Sequence, residues 1–80
     1  MPTYHIHISG MVQGVGFRPR VCQLAEKMKL TGWVNNSSDG VHIEVNGSRE
    51  TVKDFYRRLL HDPPEHAVIT RHNITETASH

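Results

Sequence analysis

Two stretches, Tyr4-His5-Ile6-His7-Ile8 and Val41-His42-Ile43-Glu44-Val45, alternate apolar and polar side chains with period two. That pattern describes strands with one face on a core and one face wet. Elsewhere the period changes. Phe17, Val21, Leu24, Ala25 and Met28 form the stripe of an amphipathic helix, with Arg20, Glu26, Lys27 and Lys29 largely on its other face. The glycines at 10, 14 and 16 separate this stripe from the first strand, which is expected to end near Ser9. The helix should then begin at about Arg18, with Pro19 in its first turn. Gly32-Trp33-Val34 opens a second strand, and Ser37-Ser38-Asp39-Gly40 has the composition of a tight reversal into the third. After Asn46-Gly47-Ser48, a turn with a plausible N-cap, Val52, Phe55, Tyr56, Leu59 and Leu60 make a second helical stripe that Pro63-Pro64 stops. Ala67 to Ile74 reads as a fourth strand whose alternation falters near Arg71 and His72, and Thr75 to His80 reads as a polar tail.

The order β-α-β-β-α-β has a natural α+β solution, the ferredoxin-like sandwich, in which two helices cover one face of a four-stranded antiparallel sheet. Eighty residues allow one domain, 1–80, with a core over about 3–74. The formal charge of +1 gives no general electrostatic reason to expect a nucleic-acid partner, so any anion site must be local. Cys22 is the lone cysteine, which excludes an intrachain disulfide and fits a reducing compartment, with the cytoplasm as the default. The N-terminus lacks the layout of a signal peptide, and no apolar run approaches the roughly 20 residues of a membrane span.

Fold does not give function, because this architecture hosts enzymes, RNA binders and metal carriers alike. The glycine-rich stretch between the first strand and the first helix is more specific. A turn of that kind can aim several backbone N–H groups at one point, where the positive end of the helix dipole also favours an anion. Gly14 and Gly16 let the backbone curl closely around a ligand, and Arg18 at the mouth offers a planar fork for two phosphate oxygens. The same residues also suit an ordinary strand-to-helix turn with a solvated arginine.

Two longer motifs carry a resemblance. Gly10-Met11-Val12-Gln13-Gly14-Val15-Gly16-Phe17-Arg18 is followed downstream by Gly32-Trp33-Val34-Asn35-Asn36 and Asp39-Gly40. Together they resemble the paired signatures of the acylphosphatase family, a G-x-V-Q-G-V-G-F-R loop and a G-W-V-x-N-x-x-D-G hairpin, and the resemblance spans most of the chain. It implies that Arg18 and the loop residues Gln13, Gly14, Val15, Gly16 and Phe17 bind the phosphoryl group of an acyl phosphate, and that Asn36 orients the attacking water. Asn35 fills the variable position of the hairpin motif and receives no such role. Phe17-Arg18-Pro19, Gln23-Leu24-Ala25 and Pro63-Pro64 followed by Ala67 look more like the acylphosphatase-like N-terminal domain of the hydrogenase-maturation carbamoyltransferases. On that reading the chain is a module of a longer protein, and its polar end is a domain boundary. The chain departs from the family after Ile74, where nothing supplies the short final strand of the F-x-I-R type; an uncovered sheet edge near the Asn36 strand would follow.

The resemblance implies hydrolysis of a mixed anhydride by positioning and charge neutralisation, with no covalent intermediate, no metal and no cofactor. The implied partner is a small acyl phosphate or carbamoyl phosphate, with neither nucleic acid nor membrane. Two other classes compete. One is a non-catalytic station within a carbamoyl-transfer protein, holding carbamoyl phosphate through the same loop. The other is an RNA-binding module on the same fold, which would present aromatic residues where His5, His7, His42 and Glu44 stand.

The remaining features have plain readings. His5, His7 and His42 should share the open sheet face on neighbouring strands, close enough to weigh a transition-metal site, and read as exposed histidines instead, since no cysteine or carboxylate completes a recognisable ligand set. Trp33 is expected to pack at the hairpin or at a pocket rim, Cys22 to pack within the first helix, and Asp39 to cap the turn before Gly40. Lys53, Arg57 and Arg58 form a basic patch that Glu50 and Asp54 largely cancel.

Overall fold

The computed structural model describes residues 2–14 and 16–77. The chain forms β1 (Thr3–Met11), α1 (Phe17–Lys27), β2 (Thr31–Ser37), β3 (Gly40–Asn46), α2 (Arg49–His61) and β4 (Val68–Thr77). The strands make one antiparallel sheet in the order β2-β3-β1-β4. This is the ferredoxin-like sandwich that the element order implies.

Register explains which face is core. Tyr4 pairs with Val45, Ile6 with Ile43 and Ile8 with Val41, and all of these side chains are buried. They meet Phe17, Val21 and Leu24 of α1 and Val52, Phe55 and Leu59 of α2 in a single cluster. Each fully buried aliphatic or aromatic side chain of this kind contributes about 1.5–3 kcal/mol of transfer free energy. The intervening pairs, His5 with Glu44 and His7 with His42, fall on the opposite, half-exposed face. The Ser48 hydroxyl caps α2 by accepting from Thr51 N–H at 3.3 Å, as the turn composition predicts. Arg57 and Arg58 both pair with Asp54, so the basic patch on α2 is partly neutralised within its own helix.

Three local expectations change. β1 does not stop at Ser9: the pairing register shifts between Ser9 and Gly10, after which Gly10 and Met11 pair with Ile69 and Val68. Strand β4 likewise continues past Ile74, where Thr75, Glu76 and Thr77 pair with His5, Tyr4 and Thr3. An edge strand is held by main-chain bonds to one neighbour, so this polar segment needs no apolar alternation to extend the ladder. Cys22 lies on the exposed side of α1 rather than in the packing. Strand β2 bonds to β3 alone and is the sheet edge that carries Asn36.

Candidate active site

The loop and the hairpin meet at the N-terminal end of α1. Gly16 is the N-cap, with φ 83° and ψ 20°, and supplies no side chain to cap the helix. The first N–H groups of a helix have no intrahelical acceptor, and here no acidic residue stands in the first turn to neutralise them. Gly14 also has positive φ, at 72°. A Cβ added at either glycine would meet nothing within 4 Å, so they are required by backbone conformation and leave open space above the loop. The result is a positively polarised concavity at a helix end, with the Arg18 side chain exposed beside it.

Asn36 enters from the other side. Its register partner is Val41, which pairs in turn with Ile8, and both are fully buried on the helix-covered face. Because strand side chains alternate, Asn36 faces the helix layer and Asn35 faces away. The two adjacent asparagines are thus separated by the sheet itself. A cleft of about 220 Å³ is lined by Val12, Gly14, Gly16, Phe17, Arg18, Pro19 and Asn36. Asn36 Oδ1 is buried and has no hydrogen-bond partner among the described residues, an acceptor that a polar group in the cleft would satisfy. Arg18 is the one ionisable side chain among the described residues lining the cleft.

The other expected site residues divide. Gly14, Gly16, Phe17, Arg18 and Asn36 come together in the cleft, while Val15 lies outside the described residues. The Gln13 side chain turns away from it and donates to the carbonyls of Ser37 and, at 3.5 Å, Gly40. Gln13 therefore ties the loop to the hairpin, so any phosphate contact from this residue would come from its main chain. Val12, 1% exposed, which belongs to the loop motif, and Pro19, expected in the first turn of the helix, also line the cleft.

Asp39 occupies the turn, as its composition suggests. It accepts from the hydroxyl of Ser37 and lies 2.9 Å from His42 Nε2. The Ser37 hydroxyl first, and then His42, hold its carboxyl down at about 2, below the ordinary 3.8. Gly40 follows with φ 127°, and a Cβ there would sit 2.3 Å from the Ile8 carbonyl oxygen, so the hairpin can close against β1 only with glycine. Trp33 is half-exposed and presents an edge-to-face contact to His5, with ring centroids 6.2 Å apart, away from the Arg18 cleft.

Comparison with known proteins bears on the sequence and the fold. The sequence pattern of the acylphosphatase family matches residues 4–80. An acylphosphatase of Bacillus licheniformis is 46% identical over 65 residues, covering 80% of this chain and 72% of that protein. The carbamoyltransferase HypF of a Synechocystis species is 42% identical over 69 residues, 86% of this chain but 9% of that protein. Among solved structures, full-length HypF in its phosphate- and nucleotide-bound form superposes with a TM-score of 0.94 at 40% identity, covering 98% of this chain and 10% of HypF. The acylphosphatase of Bacillus subtilis superposes with a TM-score of 0.90 at 38% identity, covering 99% of this chain and 88% of that one. The chain thus spans about a tenth of the carbamoyltransferases it matches and most of the small acylphosphatases. A family pattern over nearly the whole length, together with a shared fold and a cleft that joins both signature motifs, makes this chain a member of the acylphosphatase family.

Proposed function

We propose that the chain hydrolyses acyl phosphates to a carboxylate and inorganic phosphate. The observation that carries this reading is the cleft shared by Arg18 and Asn36 at the positive end of α1, with a buried Asn36 Oδ1 on its wall that has no partner among the described residues. The main-chain N–H groups at the start of α1 and the Arg18 guanidinium bind the phosphoryl oxygens and neutralise their charge through transfer. Asn36 Oδ1 accepts a hydrogen bond from a water held in line behind phosphorus. As the water oxygen bonds to phosphorus, the bond from phosphorus to the acyl oxygen breaks and the carboxylate leaves. No carboxylate or imidazole lines the cleft among the described residues, so the water's proton passes to a phosphoryl oxygen of the substrate. The acyl group is already a good leaving group, and no protein acid is needed.

The test is hydrolysis of benzoyl phosphate by wild type and Arg18→Ala in parallel. Robust turnover by wild type, reduced roughly a hundredfold in the variant, supports the assignment. Absence of turnover by a folded wild-type chain overturns it.

The likeness to part of HypF favours a second reading, in which the domain serves within a longer chain, binds or acts on carbamoyl phosphate only there, and is not active by itself. Turnover of both acetyl phosphate and carbamoyl phosphate separates the two readings, because a holding station releases neither product. The lone cysteine of so small a domain supports a reducing compartment, the cytoplasm, for both readings. No helix among the described residues is long and apolar enough to cross a membrane.

A further inference from the structure

The open face of the sheet gathers a second polar constellation, separated from the Arg18 cleft by strand alternation. Register sets His7 of β1 directly across from His42 of β3, and their rings stack with centroids 4.3 Å apart and planes 9° from parallel. Sequence spacing offers no third ligand, but the turn does. It folds Asp39 back over the same face, so that Asp39 Oδ1 lies 2.9 Å from His42 Nε2 and Oδ2 lies 3.6 Å from His7 Nε2. One ligand atom from each residue falls within 4.8 Å of the others. Two neutral-capable imidazoles and a carboxylate, in reach of one point, contradict the expectation that no carboxylate completes a ligand set on this face.

We propose that His7, His42 and Asp39 form a mononuclear site for a borderline divalent transition metal of the Zn²⁺ class, with water completing a tetrahedron. The donor types match: two nitrogens and one carboxylate oxygen suit Zn²⁺, whereas Mg²⁺ and Ca²⁺ favour all-oxygen shells. Bonds of about 2.0–2.1 Å require ligand atoms about 3.3 Å apart, so the three atoms must draw together and the stacked rings must tilt. Side-chain rotation must supply this movement and release His7 Nε2 from the Asp39 carbonyl at 3.0 Å and the Ser9 hydroxyl at 3.3 Å; Asp39, 60% exposed, has the room to turn, and His7 and His42 are 24% and 26% exposed. The exposure also leaves the fourth position open to water.

A supporting partner is already present. His5 Nε2 lies 3.1 Å from His42 Nδ1, so the nitrogen of His42 that does not face Asp39 is held by a neighbouring ring. With the proton on His42 Nδ1 donated to His5 Nε2, the Nε2 lone pair of His42 is directed toward Asp39, where the metal sits. Outer partners of this kind fix the tautomer of a ligating histidine. His5 is therefore a positioning residue. The ion would fasten β1, β3 and the β2–β3 turn to one another, on the face away from Asn36.

The decisive experiment is a Zn²⁺ titration of the chelator-treated, tag-free chain, read by calorimetry and by the imidazole resonances of its seven histidines. One equivalent is expected to bind, moving the resonances of His5, His7 and His42 and leaving those of His61, His66 and His72 in place. His42→Gln should weaken binding by roughly a hundredfold or more, and His5→Gln by about 10- to 100-fold. His66→Gln should leave it unchanged. Mg²⁺ should give no saturable response. The wild-type resonances answer the question even if His42→Gln fails to fold. No saturable Zn²⁺ binding, or binding that moves His61, His66 or His72 instead, overturns the proposal. Full retention of affinity in a folded His42→Gln variant does the same. Benzoyl phosphate hydrolysis should persist under chelation, so failure of the metal site and failure of the hydrolytic reading are seen separately.

Discussion

Replacing Asn36 with Ala should slow turnover without weakening the fold, and the two effects can be worked out separately. Asn36 Oδ1 is buried with no partner among the described residues, and an unsatisfied buried acceptor costs about 1–3 kcal/mol. Removing it relieves that cost, less whatever a bound water already recovers and the small packing loss of trimming a half-buried side chain. The expected net change is between zero and about 1 kcal/mol of added stability, and each 1 kcal/mol raises Tm by about 4–8 °C in a domain of this size. If the same oxygen positions the attacking water, its loss should cost about 10²- to 10³-fold in kcat, equivalent to roughly 2.7–4 kcal/mol of transition-state stabilisation. Calorimetric melting and benzoyl phosphate kinetics on one preparation give both numbers. Asn35→Ala is the internal control, because strand alternation puts Asn35 on the opposite face, and its turnover should match wild type. A fall in Tm beyond about 5 °C together with near-normal hydrolysis would show that Asn36 is a structural residue and would refute the reasoning.

Other outcomes follow from the same geometry. Arg18→Lys should recover only part of the roughly hundredfold loss expected for Arg18→Ala, since an ammonium restores the charge but not the two-pronged donor, and steady-state kinetics on the pair check this. Gly40→Ala should destabilise the fold by more than the roughly 1 kcal/mol typical of a surface glycine, because its Cβ would meet the Ile8 carbonyl oxygen at 2.3 Å in a positive-φ conformation; chemical denaturation measures it. Asp39 titrates at about 2 in the folded chain against 3.8 ordinarily, so its stabilising contribution is present above pH 3.8 and is lost as pH falls toward about 2. In chelator, the stability gap between wild type and Asp39→Asn should therefore close over that interval, and a gap that stays constant would contradict the assignment.

The elements were legible where burial and period coincide. Tyr4, Ile6 and Ile8 alternate because β1 is a central strand whose one face is covered by helices, and the α1 and α2 stripes are visible for the same reason. β4 is blurred because it is an edge: Ile69 and Ile74 pack against the core while Arg71, His72 and Asn73 are exposed, and main-chain pairing carries the strand to Thr77, whose hydroxyl also donates to the Thr3 carbonyl at 3.2 Å. In the site, Arg18 and Asn36 were readable as motif positions. What made Asn36 rather than Asn35 the cleft residue is parity in the β2 ladder, which only the register with Val41 fixes. The place of Gln13 within the loop points to phosphate, yet its side chain is long enough to cross to the hairpin carbonyls. The His7, His42 and Asp39 cluster depends on a turn folding back over a sheet face, a contact between positions far apart in sequence that no local periodicity encodes.

The bond from Gln13 to the hairpin also bears on how portable this site is. A glycine loop excised onto another scaffold would bring its amides and Arg18 but would leave behind the object that fixes their distance from Asn36. The two halves of the cleft come from separate chain segments, and one side chain spans the gap between them. Grafting therefore has to move a matched pair, loop and hairpin, with their spacing preserved. Recombination between relatives should succeed when both segments come from one parent and fail when position 13 lacks a donor long enough to reach the main-chain carbonyls of residues 37 and 40.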